Sequence, residues 1–257
     1  MTQLDKVGCY PFMADMFHCD CQKNLFLGHL GNRLLNAADF HANERGFGIA
    51  YLNSVNRSWV LSRLAIELEE MPKAYAHFHV YTWIESAMRY FTNRNFKMVD
   101  IDSGKVYGYG RSIWAMIDTQ TRQPANILEM QGGVLADYVV KDMECPIDKG
   151  SRVRMDDKAE RFGQSVASYS DIDPNGHVNS VKYIEHVLDL FPVEWHTSHQ
   201  LRRFEIAYVA EGHAGDALRF YRQVNGDGDF SIRVTGQGTA DDGERELCRC
   251  RIIFVKS

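Results

Sequence analysis

Residues 61–68, LSRLAIEL, return as LRRFEIAY at 201–208, a shift of 140 that matches Leu61 to Leu201, Arg63 to Arg203 and Ile66 to Ile206. The same shift carries Tyr81 onto Tyr221. A second pair of segments, Gly28-His29-Leu30 and Gly176-His177-Val178, aligns at a shift of 148, which makes the loop after the first helix eight residues longer. Two matches in the same order mean that one unit is used twice. The length of 257 residues allows one large or two small domains, and the repeat points to two.

Each copy reads as a strand, a helix and then several antiparallel strands. In the first, a helix from about Leu25 to His41 places Leu27, Leu30, Leu34, Ala37 and Ala38 on one face. Strand signals follow at 61–67, 74–85, 88–100 and 105–118, with turns at Met71-Pro72-Lys73 and Asp102-Ser103-Gly104. In the second, a strand to about Tyr169 precedes a helix over 177–191, and strands follow at 201–209, 217–225, 230–236 and 244–255. Asn225-Gly226-Asp227-Gly228-Asp229 lacks the closing glutamate of a calcium loop and reads as a hairpin turn. Every strand run has an apolar side that needs cover. The expected fold is therefore α+β, with a long helix packed on a curved antiparallel sheet in each half. The boundaries fall at 1–130, a charged connecting segment at 131–157, and 158–257.

Residues 171–191, DIDPNGHVNSVKYIEHVLDLF, carry the chemistry-bearing groups. Asp173, Pro174, Asn175 and Gly176 are turn formers. Val178, Val181, Ile184, Val187, Leu188 and Phe191 then recur at helical spacing, and Pro192 ends the run. Asp173, Asn175 and His177 thus stand at the mouth of a helix, where free backbone N–H groups gather and where an enzyme would hold a carbonyl whose oxygen becomes negative. The structural alternative is a helix N-cap beside an ordinary Asn-Gly turn. At the 148 shift, Leu25 and Leu27 replace Asp173 and Asn175 in the first copy, so one half is expected to be polar at this point and the other apolar.

Composition excludes several classes. A net charge of −5 opposes nucleic-acid binding, and no apolar run reaches the ~18 residues of a membrane span. The opening MTQLDKVGCY lacks a signal-peptide pattern, which makes the cytoplasm the expected location. Cys19-x-Cys21 and Cys248-x-Cys250 are spaced too closely for a zinc knuckle, so no metal is expected; no cofactor is expected either. Any acidic partner must use a local basic patch, for which Arg202, Arg203, Arg249 and Arg251 are candidates, although solvated strand faces explain them as well.

NGHVNSVKYIE, preceded by Asp173, resembles the signature of acyl-acyl carrier protein thioesterases, the plastid and bacterial enzymes that end fatty acid synthesis. The resemblance extends to the first helix, to GRSIWAMIDTQTRQP at 110–124 and to the strand leading into Glu211. It implies a fused pair of hotdog folds and hydrolysis of fatty acyl thioesters borne on the phosphopantetheine of acyl carrier protein, by a monomer (a pseudo-dimer) or a homodimer. It also implies catalytic roles for Asp173, Asn175, His177 and Glu211. The position after the glutamate is often Cys in the plant enzymes, once proposed as a nucleophile. Here it is Gly212, which favours attack by water. Other readings are a hotdog acyl-CoA thioesterase or hydratase, and a non-enzymatic acyl-binding module.

Overall fold

A computed structural model describes residues 4–150, 153–156, 159–237 and 243–257. The chain divides after Lys149 into two compact units.

The first unit runs β1 (Gly8–Met13), α1 (Leu27–Glu44), α2 (Ile49–Ser54), β2 (Arg57–Leu68), β3 (His77–Ala87), β4 (Phe91–Asp100) and β5 (Val106–Asp118). Its strands pair antiparallel in the order β1-β3-β4-β5-β2. The predicted apolar face of α1 is buried: Leu27, Leu30, Leu34, Ala37 and Ala38 all lie in the core. The helix packs on β1 and β3. The end of this unit differs from the sequence expectation. Residues 131–149 belong to the span expected to connect the halves, yet α3 (Val134–Asp137) and the chain after it pack on the first sheet. Leu135 and Tyr138 join the core around Phe47 and Ile84, and Val140, Cys145 and Ile147 cover Trp83. Arg111 ties the segment down by donating to Ile147 O at 2.9 Å and to Cys145 O at 2.6 Å. Charge in this stretch masks the apolar residues that anchor it. Residues 151–152 and 157–158, at the end of that span and its border, lie outside the described residues.

The second unit runs β6 (Glu160–Val166), α4 (Ser180–Leu188), α5 (Val193–Ser198), β7 (His199–Tyr208), β8 (Ala217–Gly226), β9 (Asp229–Gln237) and β10 (Glu244–Lys256). Its order, β7-β10-β9-β8-β6, is that of β2-β5-β4-β3-β1, so the two sheets share one topology. Val181, Tyr183, Ile184 and Val187 form the buried face of α4. Against it stand Tyr208 of β7, which donates to Ser180 O at 2.8 Å, and Phe220 of β8. Alternation on β10 buries both Cys248 and Cys250, which accounts for their spacing. The Asn225–Asp229 segment is the β8–β9 hairpin, with Gly228 at φ +72°. The α+β expectation, a helix on an antiparallel sheet in each half, holds.

One buried group of the first unit gives a stability prediction. His41 on α1 is fully buried, with Nε2 3.1 Å from Lys6 O. Burial, with Arg94 and Arg45 adding repulsion, pushes its pKa down to about 2. As pH falls below the ordinary histidine value, the unfolded chain takes up a proton that the folded one refuses. The resulting stability is complete above that value and is lost progressively toward about pH 2. Urea unfolding should show up to about 2 kcal/mol lost between pH 6.5 and 5 from this residue. That slope should be absent in a folded His41→Phe variant.

Candidate active site

The turn Asp173–His177 is built around one carboxylate. Asp173 Oδ1 accepts the N–H of Asn175 at 2.8 Å and of His177 at 3.1 Å. The Asp173 N–H donates to His177 O at 2.8 Å, and the Gly176 N–H to Asp173 O at 3.0 Å. Gly176 sits at φ +83°, where a side chain would be strained. Ile172 and Val178 close the loop as an antiparallel bridge.

The helix begins later than its apolar spacing indicates. α4 starts at Ser180 rather than at 177, and Asn179 is its N-cap, accepting the Val181 N–H at 3.1 Å. Two of the amides expected to polarise a carbonyl are already occupied. Val178 N–H donates to Gly212 O and Asn179 N–H to Asp171 O, each at 2.8 Å. The periodicity was satisfied by Val178, buried in the loop, so the pattern could not separate the loop from the helix. Phe191 lies beyond the helix end at Leu188 and is buried all the same.

Glu211 arrives from the connection between β7 and β8 and meets the loop. Its Oε2 lies 3.4 Å from His177 Nε2, with both side chains partly exposed. Arg245 of β10 donates to Glu211 O at 2.6 Å and fixes the backbone there. His213 stands edge-on to His177, ring centroids 5.4 Å apart. Gly212 is packed so closely that a Cβ would lie 2.4 Å from Tyr183 Oη. Burial pushes the Tyr183 phenol up, so its hydroxyl stays protonated. The four expected residues are therefore together: Asp173, Asn175 and His177 on one loop, with Glu211 against His177. Sequence reasoning missed His213 and Arg245. The first stands two positions beyond Glu211 and was within reach, whereas the second comes from a distant strand.

The first unit contains the same loop, but not where the 148 shift put it. Asp20 Oδ1 accepts the N–H of Gln22 at 2.9 Å and of Asn24 at 2.8 Å. The Asp20 N–H donates to Asn24 O at 2.8 Å and the Lys23 N–H to Asp20 O at 2.9 Å. Cys19 and Leu25 form the closing bridge, and Leu25 N–H donates to Pro72 O as Val178 does to Gly212 O. Phe26, the N-cap of α1, donates to His18 O as Asn179 does to Asp171 O. The loops thus align Asp20 with Asp173, Gln22 with Asn175 and Asn24 with His177, while Met71 stands at the place of Glu211. This corrects two expectations. Leu25 and Leu27 do not replace Asp173 and Asn175, and His29 is not the partner of His177. His29 instead stacks on His18 at 4.0 Å. Both loops are polar, and what sets the second apart is the imidazole–carboxylate pair.

Three of the four cations considered for a basic patch are paired with carboxylates of their own unit. Arg203 is buried against Glu205 at 2.6 Å, Arg249 pairs with Glu246 and Arg251 with Asp229, both at 2.7 Å.

The family model described as the acyl-ACP thioesterase N-terminal domain matches residues 10–131, and the C-terminal domain model matches 155–255. An acyl-ACP thioesterase from Bacteroides thetaiotaomicron is 49% identical, with a TM-score of 0.89 over 97% of this chain and 98% of that one. The 12:0-ACP thioesterase from Umbellularia californica shares the fold at 20% identity, with a TM-score of 0.84 over 100% of both chains. The palmitoyl-acyl carrier protein thioesterase of Arabidopsis thaliana is 27% identical over 66% of this chain, which spans 42% of that protein's length.

Proposed function

Because the chain belongs to the acyl-ACP thioesterase family, we propose that it hydrolyses the thioester of a fatty acyl chain carried on acyl carrier protein, releasing the free fatty acid. The observation that carries the reading to particular residues is the contact between His177 and Glu211, 3.4 Å apart, at a loop whose counterpart has Asn24 and Met71.

In this reading water attacks the thioester carbonyl carbon and gives its proton to the His177–Glu211 pair. The tetrahedral intermediate collapses, the carbon–sulfur bond breaks, and the thiolate takes a proton back from the pair. General base catalysis of this kind contributes roughly 10²–10⁴ in rate. Asn175, exposed at the loop tip, orients the water through its side-chain amide. Asp173 serves by holding the loop, because its Oδ1 already accepts two backbone amides and Asp20 does the same in the first unit. Glu211 is accordingly the preferred base. The cytoplasm is the proposed place of action, in keeping with six free thiols. No helix among the described residues is long and apolar enough to cross a membrane.

Steady-state hydrolysis of matched acyl-carrier and acyl-CoA thioesters tests the function. A higher kcat/KM on the carrier substrate is expected. Preference for CoA would favour the acyl-CoA hydrolase reading, and binding without turnover would favour an acyl-binding module.

A thiol mechanism makes a different prediction. Cys9 and Cys21, the exposed thiols, lie in the first unit, whereas Cys248 and Cys250 of the second are buried. Burial pushes the Cys248 thiol well up, away from the reactive thiolate. Alkylation of the folded protein should label Cys9 and Cys21 and leave most turnover intact. Stoichiometric inactivation that substrate prevents would restore a cysteine nucleophile.

A further inference from the structure

The loop that carries His177 rests at its base on Asp171, and Asp171 is held from the side by a residue of α4. Asp171 is buried, and its carbonyl accepts the Asn179 N–H that begins the helix. Its Oδ2 accepts the Ser168 N–H at 2.7 Å and lies 3.2 Å from His186 Nε2. That last contact is off the axis of a straight hydrogen bond, so it is chiefly electrostatic. On the other side of the ring, His186 Nδ1 lies 3.3 Å from Ser165 Oγ of β6. With the serine hydroxyl donating to Nδ1, Nε2 carries its hydrogen on the side of the ring near Asp171. The ring also rests near Phe220 of β8. His186 is thus partly buried among β6, β8 and the turn before the loop, with Nε2 on the side of Asp171.

The duplication supplies a comparison. Arg33 lies as far beyond the N-cap Phe26 as His186 lies beyond Asn179. It too reaches back to the turn before its loop, with Nη2 2.5 Å from Asp15 Oδ2 and 3.5 Å from His18 Nδ1. His18 is the structural counterpart of Asp171, since its carbonyl accepts the Phe26 N–H. Each unit therefore sends a basic side chain from the same helix position to brace the same turn. The side chains differ, so the bracing is what the two units share.

We propose that His186 is a positioning residue for the reaction loop: through Asp171 it fixes the backbone that places His177 against Glu211. The reaction assigned to that loop is the one argued above, and the proposal rests on it. Its contacts are with Ser165, Asp171 and Phe220, and it acts through Asp171.

Hydrogen exchange and kinetics on the full chain test it together. In His186→Leu, protection of the Asn179 amide should fall about tenfold or more, as expected when a buried carboxylate loses an electrostatic partner. The Phe26 amide, its counterpart, should keep its protection. kcat should fall about tenfold with KM nearly unchanged, the pattern of an interaction that serves the transition state. His186→Gln keeps a donor toward Asp171 and an acceptor toward Ser165, and should recover most of both losses. Equal loss of protection at Asn179 and Phe26 would mean global destabilisation and would overturn the proposal. Unchanged protection, or selective loss at Asn179 with kcat intact, would overturn it as well. The exchange measurement needs no substrate, so it judges the brace even if the wild-type protein proves unable to hydrolyse the thioester.

Discussion

Replacing His177 with alanine is expected to lower turnover by about 10²–10⁴ while leaving the melting temperature nearly unchanged. The side chain is partly exposed and its contacts are with Glu211 and His213, so its removal leaves no large cavity. The backbone of residue 177 stays bonded to Asp173 through both its N–H and its carbonyl, so the loop keeps its shape. Glu211→Gln should cause a loss of similar size. If the two act as one proton-transferring unit, the double variant should be little worse than either single one, whereas independent residues would multiply. The molecule contains its own control in Asn24, the structural counterpart of His177. Asn24→Ala removes the side-chain hydrogen bond to Asp20 Oδ2 at 3.2 Å. It should cost about 1 kcal/mol of stability and leave turnover at low temperature intact. Equal loss of turnover in folded Asn24→Ala and His177→Ala proteins would show that both loops share the chemistry.

A thiol introduced at position 212 should damage the fold before it can affect the reaction. A Cβ there would lie 2.4 Å from Tyr183 Oη and 3.2 Å from Val178 Cγ2. Tyr183 is buried on α4, its ring 6.2 Å from that of Tyr208 of β7. Gly212→Cys and Gly212→Ala should both lose about 1–3 kcal/mol, the usual cost of overpacking. Turnover should fall too, because Gly212 O anchors the Val178 N–H and Glu211 is the adjacent residue. Tyr183→Phe removes the atom in conflict. The pair Tyr183→Phe with Gly212→Ala should therefore recover stability that Gly212→Ala alone loses. Losses that simply add would place the strain elsewhere in the connection.

Strand positions and the 140 shift between sheets were legible in the sequence because a strand in a half-covered sheet repeats its burial every second residue. LSRLAIEL and LRRFEIAY lie in β2 and β7, as that shift requires. The polar residues of the second loop were legible as well, since Asp-Pro-Asn-Gly is turn chemistry and Asp173 and Gly176 occupy the positions that such a turn demands. The first loop was hidden. It makes the same backbone hydrogen bonds with Cys21 in place of Pro174 and Lys23, at φ +64°, in place of Gly176. A loop held by main-chain groups around one aspartate leaves little trace in the other side chains, so the alignment fell instead on a Gly-His pair inside α1. Only the tertiary structure could decide that Asp20 matches Asp173, because that match consists of hydrogen-bond geometry rather than residue identity. The same holds for Arg245 and His186, which reach the loop from other elements, and for the contact of Glu211 with His177. Those contacts depend on how separated segments come together across the sheet, and no local period records them.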